Sequence, residues 1–226
     1  MLRELGAKPI INACGTLTIL GGTTLAGEVS EAWAEASRVY LDMNELHTKA
    51  GEFISKLTGA ESAYITAGTA ASLVISIATC ITRGETGKMA RLPKTQGMRN
   101  EVIVQRLHHN EFELLFEIAG AEVVEIGDEY MATHQELEDA ICERTAAVAY
   151  FAFDPQEGVL PLETVLEISH RHGVSVMNTW QAQGSDHDEE GCWRVNKGSY
   201  EVKESLFRHL PHGSKETLSV FSSRLS

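Results

Sequence analysis

The sequence predicts an α/β protein built on a mainly parallel sheet covered by helices on both faces. Two observations carry this. Short apolar strand-like runs alternate with helix-forming segments from about residue 61 to 177, and repeated β-then-α units require crossover connections between parallel strands. The first unit, Glu61-Ser-Ala-Tyr-Ile-Thr-Ala-Gly-Thr-Ala-Ala-Ser-Leu73, passes from strand to helix over Gly68 and small side chains. A chain of 226 residues with 43% hydrophobic content can bury one sizeable core, or one core and a fragment of another.

Taken in order, Gly15 to Gly27 is rich in Gly, Thr and Leu without periodicity and reads as an extended arm. A helix is predicted from Val29 to about Val39. A second places Leu46, Ala50, Phe53, Ile54 and Leu57 on one apolar face and stops at Gly59. Tyr64-Ile65 reads as a strand, Ala70 to Thr82 as a buried helix, Glu101 to Gln105 as a strand, Glu111 to Ala119 as a helix, and Val123 to Ile126 as a strand. Thr133 and Glu136 have capping-box spacing for a helix running to about Cys142. Ala146 to Phe151 is a strand, Pro161 opens a helix that ends at Gly173, and Val174 to Met177 is the next strand. Regularity fails after about Gln183. The chain therefore divides into an arm with helices (1–60), an α/β portion (61–183) and an irregular tail (184–226) that reads as disordered or poorly packed, leaving the sheet incomplete at its C-terminal end.

Lys and Arg number 19 against 32 Asp and Glu, a net charge of −13 that argues against a general nucleic-acid or anionic-membrane surface. Small-molecule or protein partners are expected. Cys14, Cys80, Cys142 and Cys192 form no Cys-x-x-Cys pair, so neither a zinc motif nor a disulfide framework is expected. No apolar run is long enough to span a bilayer, and the start lacks the apolar stretch of a secretion signal, so a cytoplasmic location is expected.

The chemistry should sit beyond the carboxyl ends of the strands. A helix entered over glycine leaves backbone N–H groups unpaired at its positive end, a cradle for phosphate; the same turn also serves simply to pack a helix on a sheet. Gln105-Arg-Leu-His-His-Asn110 follows the second predicted strand, where His108 or His109 could face a cofactor or relay a proton, or form only a surface pair. Asp154 starts an Asp-Pro turn after the Phe151 strand, and Asn178-Thr179 ends the next one. Asp186-His-Asp-Glu-Glu190 reads as a solvated charge run rather than a metal site.

Several motifs in one order carry a further inference: Ile11-Asn-Ala-Cys-Gly-Thr-Leu-Thr-Ile-Leu-Gly-Gly22, Leu57-Thr-Gly-Ala-Glu-Ser-Ala63, Gly97-Met-Arg-Asn-Glu101, Gln105-Arg-Leu-His-His-Asn110 and Gly158-Val-Leu-Pro-Leu-Glu163. From about residue 5 to 177 the chain resembles the selenocysteine-synthase-like pyridoxal-phosphate enzymes, a group that includes D-glucosaminate-6-phosphate ammonia-lyase-like proteins. The resemblance implies a fold-type-I, aminotransferase-like large domain in a homodimer or larger assembly. It implies that Ala67, Gly68, Thr69 and Ala70 hold the phosphate of pyridoxal 5'-phosphate, that His108 stacks on its ring, and that the arm around Thr16 to Thr23 lines the site. The implied reaction is elimination or replacement on a small amine substrate, an amino acid or amino sugar; tRNA enters only by family analogy. The chain departs from the family in two ways. Asn178-Thr179 stands where an Asp should pair with the pyridinium nitrogen, and no Schiff-base lysine is identifiable, since Lys197, Lys203 and Lys215 follow no convincing strand. The expectation is an impaired, truncated or frameshifted member. The alternative is a non-catalytic module that keeps the fold and an anion site. A nicotinamide-binding domain is disfavoured because no Gly-x-Gly-x-x-Gly opens a helix.

Overall fold

The computed structural model describes residues 4–13, 18–22, 24–58, 60–152 and 157–180. Asp154, the tail from residue 184 with its three lysines, and Thr16, Leu17 and Thr23 of the arm lie outside the described residues. Two compact units divide at Tyr40 and Leu41. In the first, the arm holds a short 3-10 turn, Thr18–Leu20, and is followed by α1, Gly27–Ala36, which starts two residues before the predicted Val29. None of the residues of α1 is buried.

The second unit begins with α2, Met43–Thr58. The Asp42 carboxylate starts it by accepting the Asn44 and Glu45 N–H groups at 2.9 and 3.2 Å. Its apolar face is covered only in part: Ala50, Ile54 and Leu57 are half-buried, whereas Leu46 and Phe53 remain exposed. The helix instead presses Gly51 against the Ala63 carbonyl and stacks His47 on Tyr64 at 4.8 Å. Tyr64-Ile65, expected as a strand, belongs to no ladder among the described residues. Two apolar residues supply strand propensity, yet a strand also needs a neighbour for its N–H and C=O groups.

Four strands form the sheet: β1 (Glu101–Gln105), β2 (Glu122–Ile126), β3 (Thr145–Ala152) and β4 (Ser175–Trp180), in the order β2-β1-β3-β4 with every pair parallel. The outer edge of β4 has no partner among the described residues. Between the strands and on their faces run α3 (Thr69–Thr82), α4 (Thr86–Met89), α5 (Leu114–Ile118), α6 (His134–Ala140) and α7 (Leu162–Arg171). The four-residue α4 is too short to show a helical period and was not legible in the sequence. The predicted Glu111–Ala119 helix is a 3-10 turn, Glu111–Glu113, running into α5. The expected capping box opens α6: the Thr133 hydroxyl accepts the Glu136 N–H at 3.3 Å, and the Glu136 carboxylate accepts the Thr133 N–H at 2.8 Å.

Side chains alternate across the sheet, so each strand feeds two cores. Val102, Val104, Phe151 and Met177 pack with Ile77 of α3 and Phe116 of α5. Ile103, Val148 and Val176 pack on the other face with Leu137 of α6 and Val165 of α7. Burial on both faces is why β1 and β3 read as continuous apolar runs. The parallel α/β architecture predicted from the alternation is the one observed.

Gly51→Ala tests the close approach of α2. An exposed helical Gly-to-Ala change normally gains about 1 kcal/mol. Here the added methyl meets the Ala63 carbonyl, so the variant should lose on the order of 1–3 kcal/mol in a denaturant titration.

Candidate functional site

The direction of α3 decides what meets at the sheet edge. Near its C-terminal end the Cys80 thiol hydrogen-bonds the side chain of Ser175, the first residue of β4. The helix therefore runs opposite to the strands, and its first residues lie at the edge where β1, β3 and β4 end. Gly68 and His108 share that rim. Burial also pushes the Cys80 thiol up to about 12, which leaves it a packing residue without nucleophilic character.

At the helix start Gly68 adopts φ 133° and ψ 177°, a conformation closed to residues with a Cβ, and nothing lies within 4 Å of where that atom would be. The Gly68 carbonyl accepts the Ser72 N–H at 3.0 Å as the first helical bond, and the Thr66 hydroxyl donates to the same carbonyl at 3.0 Å. Helix geometry gives the N–H groups of Thr69, Ala70 and Ala71 no intrahelical acceptor. Ala67, Gly68 and Ala70 are exposed and Thr69 is half-buried, so an anion can reach them from solvent.

His108 closes a 3-10 turn, Arg106–His108, directly after β1 and is 3% exposed. Its ring stands edge-on to Tyr150 (4.8 Å, 87°) and Phe151 (6.3 Å, 80°), and Nδ1 accepts the Phe151 N–H at 3.5 Å. Burial lowers its pKa to about 4, so the imidazole is neutral at physiological pH. Asn110 holds the turn: its side-chain amide donates to the His108 carbonyl at 2.6 Å, and its Oδ1 accepts the Phe112 N–H at 2.8 Å. Glu113 completes a capping box by accepting the Asn110 N–H at 3.1 Å. Sequence reasoning missed this support, for which the Asn110-x-x-Glu113 spacing is the available signal. Gln105, buried at the end of β1, accepts the Leu160 N–H at 2.6 Å and so ties Gly158-Val-Leu-Pro to the same rim.

Asn178 and Thr179, adjacent in sequence, separate in space. Asn178 pairs with Tyr150 in register and falls on the α7 face with Val176; Thr179 pairs with Phe151 and falls on the α3 face with Met177. The Thr179 hydroxyl donates to the Tyr150 carbonyl at 3.5 Å. Of the two, only Thr179 shares the face of α3.

No family profile matches the chain. D-glucosaminate-6-phosphate ammonia lyase of Salmonella typhimurium is 34% identical over 199 residues, 81% of this chain and 54% of that enzyme. A solved structure of D-glucosaminate-6-phosphate ammonia-lyase superposes with a TM-score of 0.77 at 34% identity, over 81% of this chain and 51% of the solved one. The chain belongs to the same family as this lyase. Its fold is the fold-type-I, aminotransferase-like large domain. The 5'-C-glycyluridine monooxygenase-decarboxylase of a Streptomyces species is 30% identical over 202 residues, 81% of this chain and 50% of that enzyme. The chain thus spans about half the length of these relatives, and family membership extends over enzymes named for different reactions.

His108 gives the site a pH signature. Above pH 6.5 the imidazole is neutral whether the chain is folded or not, and stability is unaffected. Between pH 6.5 and about 4 the unfolded chain takes up a proton that the folded one refuses, so stability falls with pH. Denaturant titrations should show about 3 kcal/mol lost over that interval, absent from His108→Gln.

Proposed function

We propose that the chain provides the phosphate- and ring-binding part of a pyridoxal 5'-phosphate site in a selenocysteine-synthase-like lyase or transferase, acting on an amino acid or amino sugar. The observation that carries the reading is the shared rim of the Gly68 helix start and the neutral His108, in a chain 34% identical to an amino-sugar phosphate lyase.

The residues present fit the phosphate end of this cofactor. Gly68 leaves open the space that a Cβ would fill, and the free N–H groups of Thr69 and Ala70 form part of the positive end of a 14-residue helix. An uncharged imidazole suits stacking on a pyridine ring, since it brings no cation against a protonated ring. Because His108 is almost closed to solvent, a ring gains its face as a covering side chain withdraws, and half-buried Tyr150 is in contact with it. The ring-nitrogen end does not fit: Thr179 can offer a hydroxyl hydrogen bond but no negative charge to keep that nitrogen protonated. When bound, the cofactor supplies an electron sink for elimination or replacement at the substrate amine. This chain's own residues would hold its phosphate, cover its ring and exclude water from it, and a hydroxyl in place of a carboxylate at Thr179 supports impaired turnover.

The reading includes a homo-oligomer in the cytoplasm. Ile11, Ile19 and Trp33 are largely exposed in the N-terminal unit, apolar surface that a second copy would cover. The net charge of −13 disfavours tRNA as substrate. An absorbance titration of the full chain with pyridoxal phosphate should show saturable binding that inorganic phosphate competes away. Gly68→Ala, checked for folding by circular dichroism, should weaken it about tenfold, or about 1.4 kcal/mol. Borohydride reduction and peptide mapping then report whether any lysine carries the cofactor. Equal affinity in the wild type and Gly68→Ala would remove the proposed cradle.

A further inference from the structure

Near the rim that carries His108, two side chains from neighbouring turns and a third from β2 converge on one point. His109 follows the His108 turn, Glu113 ends the next 3-10 turn, and Glu125 lies near the end of β2. The His109 Nδ1 atom is 3.0 Å from a Glu113 carboxylate oxygen and 3.3 Å from one of Glu125, and one ligand atom from each residue lies within 4.8 Å of the others.

Two carboxylates face one imidazole nitrogen. Glu113 is 7% exposed, and no Lys or Arg pairs with it among the described residues. Its other oxygen is already engaged by the Asn110 N–H, so the oxygen facing His109 is held in place by backbone. Glu125 has a guanidinium only on its far oxygen, where Arg106 stands at 3.6 Å. Nδ1 carries at most one hydrogen to divide between two carboxylates, so one of its two contacts is left without a donor.

We propose that His109, Glu113 and Glu125 form a binding site for a divalent transition cation of the zinc class. One nitrogen and two carboxylate oxygens are a ligand set that such ions accept, and the imidazole disfavours magnesium or calcium. Metal–ligand bonds of 2.0–2.2 Å in a tetrahedron put neighbouring ligand atoms about 3.4 Å apart, close to the two His109 distances here. The remaining oxygen pair, within 4.8 Å, closes when Glu125, more than a third exposed, swings inward by up to about 1.4 Å. The ion takes the place of the Nδ1 hydrogen: the ring's one N–H shifts to Nε2 by exchange with solvent, leaving a neutral imidazole ligand, and water fills the fourth position. Bound there, it clips the turn carrying His108 to the end of β2. This site stands apart from the pyridoxal-phosphate reading, and neither requires the other.

The test is calorimetric titration of the chelator-stripped full chain with Zn2+, repeated with Co2+ to read its visible bands. The expected result is one equivalent of each ion in the wild type, with affinity reduced about tenfold or more in Glu125→Gln and in His109→Ala. Glu125→Gln retains size and lies at a partly exposed position, so its circular dichroism should match the wild type. Absence of binding would overturn the proposal. So would binding that both variants retain in full, which would place the ion elsewhere on the chain.

Discussion

Burial of β1 and β3 on both faces is the constraint on which the rest of the structure depends. Val102, Ile103 and Val104 are fully buried, and each contributes about 1.5–3 kcal/mol when fully buried relative to exposure. Such strands can be covered on both sides only by crossover helices, which makes the ladder parallel and sends every strand toward the same rim. The polar groups that follow the strands therefore collect there: Gln105 and His108 after β1, Thr179 on β4, and the start of α3.

The rim is stiff for a reason separate from the core. His108 sits on a short 3-10 turn that could not hold a ring by itself, and Asn110 and Glu113 hold the backbone at His108 and directly after it. Gln105 joins the Gly158 segment to the same strand end. These bonds are local along the chain or cross one strand, so the turn is organised before any ligand arrives. Desolvation of the imidazole is the electrostatic consequence, and it leaves a neutral ring beside a helix start that favours anions.

Much of this was legible from residues alone. The strand from Glu101 to Gln105 matches its predicted bounds, and Thr133 caps the helix that its spacing with Glu136 implied. These features depend on near neighbours or on a period, both of which a linear pattern carries. Tyr64-Ile65 failed as a strand because ladder partners come from elsewhere, and the apolar stripe on α2 was only partly covered because a stripe does not specify what packs against it.

By itself the sequence determined the parallel α/β class, the small-residue entry to α3 and the histidine turn after β1, because periodicity, capping and glycine placement are local physics. Only the tertiary structure decided that Thr179 rather than Asn178 faces α3, and that Glu125 meets His109 and Glu113. Both depend on strand register and on which face a side chain takes, and these are set by partners distant along the chain.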